Sequence, residues 1–246
     1  MTAPAAFSAA SPSPARVSPT DAVRAEPGRD ATFAFVGQRL WLDFVNCDDA
    51  ARAPWPRRSS TPAAVAPSAR VDALADFETF VRWLACAARL DAERAGGIRR
   101  RAQQQPAGAT AVLGDARRVR AALRALAERG AGPAPDAIDV RAAALAEINR
   151  VLGRSAGTRR VEQLADGGFV RSFAPVGDAF GSLLIPVVDS AADALIRGEL
   201  ARVRRCADPR CARVFHDATK NGRRRWCDMA TCGNRAKAAR HRERRR

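Results

Sequence analysis

Four of the six cysteines stand as Cys206-x4-Cys211 and Cys227-x4-Cys232, with fifteen residues between the pairs. Two close pairs joined by a short loop suit a tetrahedral four-thiolate zinc site, because each pair supplies two thiolates from one tight turn and the loop closes the tetrahedron. Two disulfides are the rival arrangement. The Met1 end carries Ala, Pro and Ser in place of a basic stretch followed by a continuous apolar core, so the chain is expected in the cytoplasm, where reducing conditions favour the metal. One structural Zn2+ is therefore expected on Cys206, Cys211, Cys227 and Cys232. Four thiolates leave no open position for water or substrate, which argues against catalysis at the metal. His216 lies in the right region but is expected beside the centre or at the surface, since four ligands are already present. A further use of the same thiolates is a redox switch, in which oxidation releases the metal and unfolds the segment.

The same segment concentrates the charge. The chain of 246 residues has a formal net charge of +16, and Arg202 to Arg246 holds 16 basic and four acidic residues, a surplus of +12 that leaves +4 for the rest. After Gly233 the run NRAKAARHRERRR combines helix-favouring alanines with six arginines, one lysine and a single acid, Glu243. On a helix, Arg235 and Arg242 share one face with Arg246, while Lys237, Arg240 and Arg244 lie on an adjoining one. Phosphates are the natural counterpart. Arg223, Arg224 and Arg225 form a second cluster that folding around zinc would bring close. Duplex DNA is the expected partner, because a zinc-anchored helix can enter the major groove and present Arg to guanine O6 and N7. RNA, with the same surface on a ribosome-associated stress factor, is the alternative. Phe215 and Trp226 are expected to form the small core of this segment in preference to stacking on bases.

Ahead of the segment the chemistry is sparse. Asp43 and Asn46 are three residues apart, so on a helix they share a face and could hydrogen-bond a small-molecule effector; the competing reading is that they cap a helix or fix the neighbouring loop. Cys47 and Cys86 read as small buried residues. The region has no histidine, no recognisable nucleophile motif and no second metal cluster, so no enzyme activity is expected.

These residues need a scaffold, and the composition, 47% hydrophobic with 17 Gly and 15 Pro, excludes collagen-like, wholly disordered and coiled-coil chains. No run approaches the ~18–20 apolar residues of a membrane span. Residues 1–30 read as a disordered Pro/Ala/Ser-rich tail and Ala53 to Ser68 as a Pro-rich loop. Phe33 and Phe35 suggest a strand-like entry to a short helix carrying Leu40, Trp41, Phe44 and Val45. Amphipathic helices are predicted over Asp72–Arg89, over Asp115–Arg129 with Val119, Leu123 and Leu126 inward and Arg117, Arg120 and Arg124 outward, and over Asp136–Leu152 with Leu145, Ile148 and Leu152 inward. Gly96-Gly97 and Gly130 to Pro135 read as connections. Val161 to Phe173 suggests an antiparallel pair turning at Asp166-Gly167-Gly168, and Phe180 to Ile196 a helix stopped by Gly198. Short strands are predicted near Val203, at Arg213–His216 and at Arg225–Cys227, with Cys232 opening the last helix. The fold expected is mainly α (α+β): a helical domain over 31–200 with a small β element, then a treble-clef-like four-cysteine finger over 201–246 ending in a basic helix.

Cys232-Gly233-Asn234-Arg235 spells CGNR, and with Cys206, Cys211, Phe215, Asp217 and the Arg224-Arg225-Trp226-Cys227 run it resembles the CGNR zinc finger. Upstream, Leu42 to Asn46, Asp72-Ala73-Leu74, Trp83-Leu84 and the Leu145 to Asn149 helix are similar to the ABATE domain, with Cys47 standing where Thr is expected. The resemblance implies a stress-related bacterial transcription regulator, a role that is itself a prediction for the family.

Overall fold

The computed structural model describes residues 33–48, 72–131, 135–154, 156–163, 167–176 and 180–245. The tail over 1–30, the Pro-rich loop, Asp166 and Arg246 lie outside them. In chain order come α1 (Leu40–Val45), α2 (Phe77–Cys86), α3 (Ala92–Gln104), α4 (Pro106–Arg129), α5 (Pro135–Arg154), β1 (Gly157–Gln163), β2 (Phe169–Pro175), α6 (Ile185–Ile196), β3 (Val203–Arg205), β4 (Val214–His216) and α7 (Asn234–Glu243). The fold is mainly α, with two antiparallel two-stranded sheets, β1-β2 and β3-β4.

Local chemistry sets most boundaries. Asp76 and Asp91 cap α2 and α3, accepting the main-chain N–H of Thr79 and Arg94 at 2.7 Å each. The helix predicted from Asp72 thus begins one turn later, and Asp72 instead accepts the Leu74 N–H. Gly96 and Gly97 do not interrupt the chain: they lie inside α3, where the Asp91 cap and the burial of Ala95 and Ile98 outweigh roughly 1 kcal/mol of lost helix propensity per glycine. Pro106 sits in the first turn of α4, where its missing N–H costs nothing, so α4 starts well before Asp115. The inward stripe of α5 is Ala137, Val140, Ala144, Ile148 and Val151. Leu145, a helical step of about 100° beyond Ala144, is 45% exposed, against expectation. A 3-10 turn, Gly181–Leu184, precedes α6, whose Pro186 lies in its first turn. Gly198 stops the chain there at φ +67°, a left-handed conformation that favours glycine.

Trp41, Phe44, Phe80 and Trp83 pack at the centre, with Phe44 edge-on to Trp83 at 5.4 Å between ring centroids. Phe33 and Phe35 form no strand. Phe35 instead stacks on Trp83 and Phe33 lies under Arg82. The arginine stripe of α4 is only partly turned to solvent: Arg117 is exposed and Arg120 and Arg124 are half-buried, and all three are engaged by neighbouring groups. Arg117 donates to the Leu74 and Ala75 carbonyls, Arg120 pairs with Asp72, and Arg124 donates to the Val45 carbonyl and to Asp48. These fork-shaped donors satisfy chain ends that helix packing leaves without partners.

The hairpin β3-β4 is built into this body. β3 lies against α4 and β4 against α1, and Val203 and Val214 belong to the helical core, whereas Phe215, on the opposite face of β4, packs with the four cysteines, Val36 and Trp226. Strand alternation thus gives one short hairpin two cores.

Candidate metal centre and basic face

Cys206 follows β3 and Cys211 precedes β4, so the hairpin turn carries the first pair. Cys227 ends the loop from β4, and Cys232 lies in a π-helical turn, Met229–Gly233, that runs into α7. The expected third strand is absent because the Cys227 N–H turns to Cys206 Sγ at 3.5 Å, leaving Ala207 N–H to Arg225 O as a lone bridge.

All four cysteines are buried and unbridged, and their Sγ atoms lie within 4.8 Å of one another. Cys227 Sγ is 3.7 Å from both Cys211 Sγ and Cys232 Sγ. A disulfide needs ~2.05 Å; the edge of a tetrahedron with Zn–S ~2.3 Å is ~3.8 Å. The donor set therefore fits one structural zinc ion and does not fit two disulfides. Within the crowded cluster the Cys206 thiol is held below its ordinary range by hydrogen bonds from Cys211 and Cys227, while contacts with Cys206 and Cys211 push Cys227 up. A divalent cation relieves that conflict by stabilising all four thiolates at once.

The CGNR tetrapeptide spans the end of the π-turn and the start of α7 and packs against this centre. Gly233 lies beneath Met229 and Trp226, where an added Cβ would meet the Met229 Sδ at 2.6 Å. Asn234 Nδ2 donates to the Ala230 carbonyl at 3.1 Å. Arg235 donates from Nη2 to Cys232 Sγ at 3.0 Å and from Nε to Asp208 Oδ2 at 2.8 Å. Asp228 caps the turn, accepting from Ala230 N–H and Thr231 N–H. Asp217 organises the preceding loop: burial raises its carboxyl, but hydrogen bonds from Thr219 and the Arg224 N–H prevail and hold it below the ordinary range.

Residues 38–199 match the family model described as "Putative stress-induced transcription regulator", the ABATE domain. The chain belongs to the ABATE family. Residues 202–245 of this ABATE protein match the CGNR zinc finger, so the two models meet at the start of the β3-β4 hairpin. Neither is an enzyme family. No curated protein matches the chain.

The basic residues of the ABATE protein divide into two sets. Arg223, Lys237, Arg240, Arg242 and Arg244 are exposed, and so are Arg225 and Arg235, which differ in that neighbouring groups engage them. Arg224 turns inward, donating to the Trp226 and Cys227 carbonyls and lying over the Phe215 ring at 4.5 Å; Arg225 lies over Trp226 at 5.1 Å; Arg235 faces the metal site. The sequence showed only their charge, and their separation depends on which acceptors folding brings near.

Of the two readings open for Asp43 and Asn46, effector contact or support of neighbouring chain, their hydrogen bonds in this fold support the second. Asp43 Oδ1 accepts the Gly37 N–H at 2.7 Å. Burial pushes this carboxyl up to about 7, against the Gly37 and Val36 N–H groups and Arg213, which lower it. Asn46 makes a two-way pair with one residue of the finger: Nδ2 donates to Val214 O at 2.7 Å, and Val214 N donates to Oδ1 at 3.0 Å. Both side chains serve the main chain, because α1 ends where the hairpin docks. His216 is neither a ligand nor at the surface. It is buried near Glu199, its main-chain N–H donates to Gly37 O, and its ring nitrogens have no hydrogen-bond partner; burial lowers its pKa. Cys47 and Cys86 are half-buried, not buried as expected, and desolvation beside Arg120 pushes the Cys47 thiol up to about 12. Among the described residues no helix is long and apolar enough to cross a membrane.

Proposed function

We propose that this ABATE protein is a cytoplasmic, DNA-binding transcription regulator that responds to stress and presents α7 to the major groove. The observation that carries the reading is that no residue of α7 is buried. The helix adds nothing to the core; it is held at its first turn by Cys232 and Arg235 and displays Lys237, Arg240, Arg242 and Arg244 to solvent. Ten residues span about 15 Å, enough to cross a B-DNA major groove about 12 Å wide, whereas the deep, narrow major groove of A-form RNA excludes a helix. Arg223, on the preceding loop, supplies a phosphate contact. Residues 38–199 act as the responding domain, and the Asn46–Val214 pair gives changes in its helices a route to the finger.

Removing the whole finger is a poor test, because Val203 and Val214 belong to the helical core. The better experiment uses the full zinc-loaded chain with Arg240, Arg242 and Arg244 replaced by Gln, titrated at several salt concentrations against duplex DNA, duplex RNA and single-stranded RNA. DNA binding should weaken, and the slope of log K against log salt should flatten by about one for each phosphate no longer neutralised. Wild-type binding by the triple variant would remove the basis of the proposal, and a preference for either RNA would move it to the ribosome-associated reading.

A further inference from the structure

We propose that Arg235, the arginine of the CGNR tetrapeptide, is a positioning residue of the metal centre and not a nucleic-acid contact. Its guanidinium reaches from the first turn of α7 to the turn that carries the first cysteine pair, bridging Cys232 Sγ and the carboxylate of Asp208, 27 residues away. Asp208 is built to receive it. The residue is only 4% exposed, its main-chain carbonyl accepts the Cys211 N–H, and its other carboxylate oxygen accepts the Arg210 N–H at 3.0 Å. The bridge therefore joins the two halves of the finger independently of the metal.

The charge balance gives the bridge its purpose. Four thiolates around one Zn2+ leave −2, and Asp208 beside them makes −3. Arg235 brings the group back to −2, with the half-exposed Arg210 guanidinium a more distant partner of the same carboxylate at 3.6 Å. Of the two, Arg235 alone also places an N–H on Cys232, which stabilises that thiolate and lowers its reactivity toward protons, oxidants and competing chelators. Only arginine has the planar fork that can direct Nε at one acceptor and Nη2 at another; a lysine ammonium supplies the charge without the two-point geometry. The zinc assignment is the premise, and the test reads zinc retention separately from nucleic-acid binding.

The test compares the full-length zinc-loaded chain with R235Q, R235K, D208N and R240Q. Zinc transfer to a chromogenic chelator, thiol alkylation rate, and duplex-DNA binding with zinc held in excess are measured for each. R235Q should hold zinc about 10–100-fold less tightly, the usual effect of losing a partner that orients a ligand, and alkylate faster. R235K should fall between R235Q and wild type, and D208N should also release zinc faster while its helical circular dichroism is unchanged. The R235Q/D208N double variant should lose less than the two singles combined, because both break one bridge. R240Q should release zinc at the wild-type rate and lose salt slope, whereas R235Q with zinc in excess should keep its slope. Wild-type zinc release by R235Q, or a fall in its salt slope like that of R240Q, overturns the assignment. Should R235Q fail to accumulate, wild-type release by both R235K and D208N overturns it equally. A zinc-free wild-type protein would instead overturn the premise.

Discussion

Asp43 is a carboxyl group that folding removes from water and leaves with main-chain donors as its nearest partners. Its pKa rises from the ordinary 3.8 to about 7, so the native state binds the extra proton, and the stability this contributes is complete below about 4 and lost as pH rises through about 7. His216 acts in the opposite direction: its pKa is lowered from 6.5, so its contribution grows as pH rises toward that value. Comparison with Asp43→Asn isolates the carboxyl. With zinc in excess, the stability of wild type relative to Asp43→Asn should fall from about pH 5 to about pH 7 and level off above it in thermal melts, and a difference independent of pH would refute the protonated carboxyl. Asn46→Ala leaves both main-chain groups of Val214 unsatisfied, at about 1–3 kcal/mol for each buried group. Asn46→Asp should do little better, because a carboxylate oxygen would face the Val214 carbonyl. Denaturant unfolding would show both losses, and hydrogen exchange should find the Val214 amide deprotected in the alanine variant.

At the scale of elements, two glycines that look alike in sequence should respond differently to a methyl group. A Cβ on Gly157, at the start of β1, would lie 2.4 Å from the Phe173 ring and 2.5 Å from the Ala174 carbonyl of its partner strand. Main chain cannot yield cheaply, so Gly157→Ala should destabilise the β1-β2 hairpin by about 1–3 kcal/mol. A Cβ on Gly233 would meet the thioether end of Met229, which is 51% exposed and free to swing away. Gly233→Ala should retain zinc and melt close to wild type. The reverse ranking in paired thermal melts would show that the π-turn before α7, and not the hairpin, is the tightly packed element.

For the whole molecule the decisive feature is the shared hairpin. Val203 and Val214 lie in the helical core, Phe215 lies on the thiolate cluster, and the Arg39–Glu199 ion pair at 2.8 Å ties the start of α1 to the segment leading into β3. A finger hinged on an independent linker would lose zinc without effect upstream. Here Cys227→Ser, or chelation of the wild type, should lower the melting temperature of the helical signal as well, by about 2–4 °C for each kcal/mol of destabilisation in a domain of this size. Helix content at low temperature should be largely kept, since α1 to α6 retain their own core. An unchanged helical melt after zinc removal would show the two regions to be thermodynamically separate.

The sequence by itself determined what depends on residue type and short spacing. Cys206-x4-Cys211 and Cys227-x4-Cys232 specified the metal centre, periodic apolar residues specified the second half of α4, α5 and the helical core of α6, and the glycine turn specified β1-β2. It misjudged α3 because a paired glycine signals a break only when no cap and buried face outweigh it, and Asp91, Ala95 and Ile98 do so. Beyond the local helix caps, tertiary structure alone decided which partners the polar side chains find. The acceptors lie far along the chain: Arg235 meets Asp208, Arg124 meets Val45, and Asn46 meets Val214 across 168 residues. Charge and helical phase, which a sequence displays, cannot distinguish an arginine offered to phosphate from one committed to a thiolate, because the distinction is a distance that exists only after the chain has folded.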